Sequence, residues 1–198
     1  MKPSHPSADY ELIDFGDGRK LESFAGRQVD RPSPAAESTG RALPNQWPQA
    51  DSVFDPNTRT WRHRTEWPQD LTVDCGGFRM RVRPTPYGHV GLFPEQFPNW
   101  QWLQRPIDRS ELPSQGQPQP WGLNLFGYTG ASTCAMSQGG MAVAHVDAAK
   151  PNVSAAREAA QRNGMEDSAI RYLVDDAAKF AAREVRRGRV YQTIVLDP

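Results

Sequence analysis

The 198-residue sequence predicts an α/β fold with a parallel, helix-flanked sheet, preceded by a small β-rich module. Two observations carry this prediction. Across residues 121–147 a short apolar run, Trp-Gly-Leu-Asn-Leu-Phe126, breaks at Gly127-Tyr128-Thr129-Gly130. It then passes through a helix of small residues and re-emerges as Met-Ala-Val-Ala-His-Val-Asp147, the sequence form of a βαβ unit. The second observation is a shift in composition. Small-residue helical patterns lie almost wholly after residue 121, and most aromatic and proline-rich sequence lies before it. A boundary near residue 115 follows, with the β-rich module in 1–115 and the α/β core in 116–198.

In chain order, residues 10–24 place Gly16-Asp17-Gly18 between two strand-like runs and predict a β-hairpin. Residues 30–57 carry Pro32, Pro34, Pro44, Pro48 and Pro56 among polar side chains, which opposes both helix and interior strand and predicts a long surface connection. Trp47 and Trp61 are the aromatics able to pack it down. Arg59, Arg62, His63 and Arg64 surround Trp61. That cluster reads either as a solvated edge strand or as a surface for stacking on bases and pairing with phosphates.

Residues 71–84 form a second hairpin around Gly76-Gly77. Strict alternation puts Phe78, Met80 and Val82 on one face and Arg79, Arg81 and Arg83 on the other. The arginine face reads as charge that discourages edge pairing or as an RNA phosphate contact. Residues 88–100 follow, where Phe93, Phe97, Trp100 and Trp102 suit a packed aromatic turn, and the Gln- and Pro-rich residues 110–120 lead into the core.

In the core, Gly127 and Gly130 permit a tight bend at which backbone N–H groups and a helix start approach a ligand. Asp147 stands at the carboxyl end of the second strand, where such sheets hold an acceptor for ribose hydroxyls. The loop lacks the G-x-G-x-x-G spacing that cradles a pyrophosphate, so a nucleoside without phosphates, S-adenosylmethionine (SAM), fits it better than NAD. A helix opens at Lys150-Pro151, buries Val153, Ala156 and Ala160 on one face and closes at Asn163-Gly164. Residues 170–174 give a third strand ending at Asp175-Asp176, and Asp176 can stabilise the next helix start as an N-terminal acid. That helix covers about 177–187. Its basic end of Arg183, Arg186, Arg187 and Arg189 needs no functional explanation, and residues 191–198 form the fourth strand.

Leu123-Asn-Leu-Phe-Gly-Tyr-Thr-Gly130, His145-Val-Asp147, Ala156-Arg-Glu-Ala-Ala-Gln-Arg-Asn-Gly164, Asp175-Asp176-Ala and Ile194-Val-Leu-Asp-Pro198 together resemble successive landmarks of the class I SAM-dependent methyltransferases. The branch they most resemble includes the bacterial 23S rRNA cytosine methyltransferases. The resemblance implies a Rossmann-like core and a cofactor loop of Phe126, Gly127, Tyr128, Thr129 and Gly130. It also implies Asp147 and Asp176 as cofactor ligands, the latter for the adenine amino group, and Gln96 near the cofactor. Asp197 and Pro198 stand at the substrate side, and RNA, as rRNA, is the implied substrate. Family members continue past Asp-Pro with a second proline, further strands and, for pyrimidine carbon methylation, a cysteine that adds to the ring. The resemblance therefore implies that this sequence holds only the first four strands of the core. The strand ending at Asp197 would present an unpaired apolar edge, which predicts poor solubility or a need for a partner.

The bulk numbers set limits. With 23 basic and 23 acidic residues the formal charge is zero, so no global basic field supports nucleic-acid binding. Cys75 and Cys134 lie in different segments with no metal-ligand spacing and read as buried reduced thiols, and no metal is expected. No apolar run of membrane length and no leader are expected, which points to the cytoplasm. A non-catalytic SAM- or RNA-binding remnant is the alternative to an enzyme, while a NAD-dependent oxidoreductase fails on the glycine pattern.

Overall fold

A computed structural model describes residues 7–107 and 119–197, which form two compact units, Met1–Pro94 and Glu95–Pro198. The boundary expected from composition, between 115 and 116, lies outside the described residues, as does Pro198. Among the described residues no helix is long and apolar enough to cross a membrane.

The first unit is built on a five-stranded sheet in the order β1-β2-β3-β4-β5. Its strands are β1 (Tyr10–Gly16), β2 (Arg19–Phe24), β3 (Arg27–Pro32), β4 (Ser52–Asp55) and β5 (Thr60–His63). The expected first hairpin is present, with Asp17 and Gly18 at φ 52° and 71° making its turn. The long connection differs from expectation at both ends. Residues 30–32 complete β3, and Ser52–Asp55 forms β4 parallel to it. The reason is buried charge. Glu22 of β2, with no exposed surface, receives Arg31 Nε at 2.6 Å and Tyr10 Oη at 2.9 Å, so a strand reading Arg-Gln-Val-Asp-Arg-Pro can lie in the interior. Between the strands, Trp47 anchors the irregular segment as its size suggests. It is 4% exposed, donates Nε1 to Asp14 Oδ2 at 2.8 Å and lies under the Arg41 guanidinium at 3.9 Å.

The second hairpin is β6 (Thr72–Asp74) with β7 (Arg79–Arg81), and Phe78, Met80 and Val82 are buried as alternation requires. Its arginines are engaged locally. Arg79 pairs with Asp9 at 2.9 Å, and Arg81 donates Nε to the Gln69 carbonyl at 2.8 Å. β5 is an edge strand that exposes Arg62 and His63, while Trp61 is half-buried and donates to the Thr85 carbonyl at 2.7 Å.

The second unit contains α1 (Phe97–Leu103), β8 (Trp121–Leu125), α2 (Ala131–Gln138), β9 (Ala142–Asp147), α3 (Lys150–Arg162), β10 (Ile170–Val174), α4 (Ala177–Arg186) and β11 (Thr193–Leu196). All four strands are parallel, in the order β10-β9-β8-β11. Leu123, Leu125, Ala144 and Val146 face Ala177 and Phe180 of α4. On the other face Asn124 and His145 lie in register and meet α2. Phe97 and Trp100 of α1 are buried, whereas Trp102 stays 57% exposed, so the aromatic turn uses fewer rings than expected.

Candidate cofactor site

Parallel register brings the chemistry to one edge of the sheet. Leu196 pairs with Leu125, Leu125 with Val146, and Val174 with Asp147, so Asp197, Phe126, Asp147 and Asp175 all stand at the carboxyl ends of neighbouring strands. The chain leaves β8 toward β9 on one side and reaches β11 on the other. The crevice between β8 and β11 is therefore the topological switch point where open α/β sheets bind ligands.

The loop after β8 has an unusual backbone. Phe126 and Tyr128 adopt φ of 57° and 48°, a left-handed conformation that non-glycine residues rarely occupy, and Gly130 follows at 91°. Gly130 must be glycine for a second reason, since a Cβ there would come within 2.7 Å of the Ala156 Cβ on α3. Three of the loop's amides are held inside the protein. Gly127 N donates to the Val146 carbonyl at 2.9 Å, Tyr128 N to Asp147 Oδ2 at 2.9 Å, and Gly130 N to the Gly127 carbonyl at 3.0 Å.

Asp147 is the hub of this arrangement. Its Oδ1 accepts from Ala149 N at 2.8 Å and from Asn152 Nδ2 at 3.1 Å, while Oδ2 accepts from Tyr128 N. A carboxylate offers about four acceptor positions, so one on Oδ2 is left for a ligand hydroxyl. On the next strand the Asp175 carboxylate pairs with Arg183, and its amide donates to the Asp147 carbonyl at 3.1 Å. Asp176 caps α4, its Oδ1 accepting from Lys179 N at 2.8 Å, the helix-start role expected of it.

At the other side of the crevice Gln96 Nε2 donates to Asp197 Oδ2 at 3.1 Å, and Asn99 Nδ2 donates to Gln96 Oε1 at 2.6 Å. The structure thus joins two sequence-derived candidates that are 101 residues apart, and adds Asn99, which sequence reasoning missed. Reasoning from sequence also missed a buried polar chain beneath the loop, formed by Asn124, Thr133 and His145. A polar side chain in each of two otherwise apolar core strands was the available signal. Cys134 is fully buried, and burial pushes its thiol up to about 12, which keeps it protonated.

Four parallel strands with helices on both faces, a tight loop after the first and an acid after the second define a Rossmann-like α/β core of the class I methyltransferase type. Solved structures share it. A SAM-dependent methyltransferase from Agrobacterium tumefaciens is 35% identical over 98% of this chain and 61% of its own, with a TM-score of 0.84. A candidate SAM-dependent methyltransferase from Streptococcus mutans is 18% identical over 98% of this chain and 53% of its own, at a TM-score of 0.73. A candidate methyltransferase complexed with S-adenosylhomocysteine (SAH), SMU.776, gives 18%, 98%, 52% and 0.74 in the same terms. This chain therefore spans between about half and three-fifths of these proteins' lengths. No protein-family model and no curated protein matches it.

Proposed function

We propose that this chain belongs to a SAM-dependent methyltransferase acting on RNA, in particular rRNA. The observation that carries the cofactor reading is the loop Phe126–Gly130. The amides of Gly127, Tyr128 and Gly130, which would cradle a pyrophosphate, are already bonded within the protein. Asp147, Asp175, Asp176 and Asp197 line the same edge, which repels phosphate and favours a cation such as a sulfonium. SAM supplies a methyl group bound to that sulfonium, open to in-line displacement by an acceptor atom. Asp147 would hold the cofactor's ribose hydroxyls, and Asp176 its adenine amino group. Gln96 serves the cofactor, and Asp197, with the following Pro198, serves the substrate side, where alignment and exclusion of water are the main contributions to rate. The Agrobacterium protein's description as SAM-dependent and the SAH bound in SMU.776 support the cofactor assignment.

The RNA substrate rests on the resemblance to rRNA cytosine methyltransferases and on Arg62 and His63 exposed beside Trp61 on β5. Calorimetric titration of the 198-residue chain with SAH tests the first half. Binding is expected, weakened about tenfold to a hundredfold by Asp147→Ala, as loss of a charge-assisted hydrogen bond implies, with no response to NAD. A folded chain that takes NAD and ignores SAH would sink the proposal. Transfer of labelled methyl from SAM to deproteinised rRNA tests the second half. Binding without transfer would assign the chain the binding step alone.

A further inference from the structure

The group beneath the glycine loop is a histidine, and packing alone does not account for it. His145 sits on β9 with no exposed surface, and its Nδ1 is 2.9 Å from Thr133 Oγ1. Asn124 Nδ2 donates to the same Thr133 oxygen at 2.9 Å, so one hydroxyl ties the amide of β8 to the imidazole of β9. Nδ1 is tied to Thr133, and Nε2, equally buried, has no hydrogen-bond partner among the described residues. Leu or Phe would fill the space without leaving a buried polar atom unpaired. What the imidazole adds is a fixed plane. Thr133 clamps one ring nitrogen, and the flat ring lies so close under Gly127 that a Cβ there would stand 2.5 Å from both Nδ1 and Cε1. Gly127 is flanked by the two left-handed residues Phe126 and Tyr128, so the height of the ring sets the height of the bend.

We propose that His145, held by Thr133 and Asn124, is a positioning residue that fixes the Phe126–Gly130 loop in its binding conformation and acts on the bound cofactor only through the backbone of Gly127. Burial keeps the ring neutral by lowering its pKa to about 4, and the Asp147 carboxylate opposes this only in part. The other ionisable groups around it are neutral or turned elsewhere. Burial drives the thiol of Cys134 on α2 and the phenol of Tyr172 on β10 up to about 12, and Arg157 of α3 lies over the Tyr172 ring at 4.6 Å. The inference deepens the cofactor reading and rests on it for its ligand-binding arm, while its exchange arm stands apart.

The test uses the whole 198-residue chain with SAH calorimetry and amide hydrogen exchange. Gly127→Ala is expected to weaken SAH about tenfold or more, and His145→Ala in the same chain to restore most of that loss, because the added methyl enters the space left by the ring. Thr133→Val and His145→Leu are expected to speed exchange of the Gly127 and Tyr128 amides about tenfold while α4 amides near Phe180 keep their protection. His145→Gln, which can still hydrogen-bond Thr133, is expected to stay close to wild type. The proposal is overturned if the double variant is no better than Gly127→Ala, or if His145→Leu leaves loop exchange unchanged. Should the wild-type chain not bind SAH, the cofactor reading falls, and the exchange pattern alone decides whether His145 positions the loop.

Discussion

Asp147 and His145 are two residues apart on one strand and face opposite demands. Asp147 is a carboxylate surrounded by donors, whereas His145 is a base kept neutral by burial. The second situation makes folding depend on pH. The unfolded imidazole titrates near 6.5 and the folded one near 4, so between these values the unfolded chain binds more protons. Stability is complete above pH 6.5 and is lost as pH falls toward 4, by up to about 3 kcal/mol, since each tenfold difference in proton affinity is worth about 1.4 kcal/mol. Denaturant melts of the second unit from pH 7 to pH 4 should show this slope, and His145→Gln should flatten it. His63 in the first unit, lowered by burial and then by Arg27, has the same sign, so probes must be local to one unit.

At the scale of elements, the irregular segment between β3 and β4 depends on one carboxylate. Asp14 accepts from Ala42 N at 3.2 Å, Leu43 N at 2.9 Å and Trp47 Nε1 at 2.8 Å, and these bonds outweigh burial to hold its pKa below the usual carboxylate value. Asp14→Ala leaves three donors without their partner and is expected to cost the first unit about 3 kcal/mol, read as a shifted denaturation midpoint with Trp47 fluorescence as the probe. The tryptophan anchor was legible in the sequence because ring size alone argues for it. β3 was not. Beside Val29 its interior holds Arg27, Asp30 and Arg31, whose burial depends on partners in β2 and β4 that no local pattern displays. In the second unit β8 to β11 and α2 to α4 were legible, since β8 and β9 are covered on both faces and so read as apolar runs broken by glycine, whereas α1 was read as an aromatic turn.

For the whole molecule, the telling feature is the outer edge of the parallel sheet. β11 pairs only with β8 among the described residues, and Ile194 and Leu196 are 60% and 61% exposed beside it. A parallel sheet normally covers such strands, and an open apolar edge is a template for pairing. The isolated 198-residue chain is expected to self-associate at micromolar concentration in sedimentation velocity, and Ile194→Lys to reduce that association. A monodisperse monomer that unfolds cooperatively would contradict this. The candidate site was only partly legible at this scale. The glycine loop, Asp147 and Asp176 follow from local punctuation, and the resemblance nominated Gln96 and Asp197 separately. Their contact across 101 residues is a product of tertiary folding, as is the Asn124–Thr133–His145 chain.

The left-handed backbone at Phe126 and Tyr128 also bears on how such a chain responds to selection. Each position carries about 1 kcal/mol or more of conformational penalty that glycine would relieve in the folded state. Screening variants for heat resistance alone would therefore favour glycine at both sites, and with it a slacker loop. Screening for ligand retention would reject the same changes, so the most durable form of this protein and its best-binding form are different sequences.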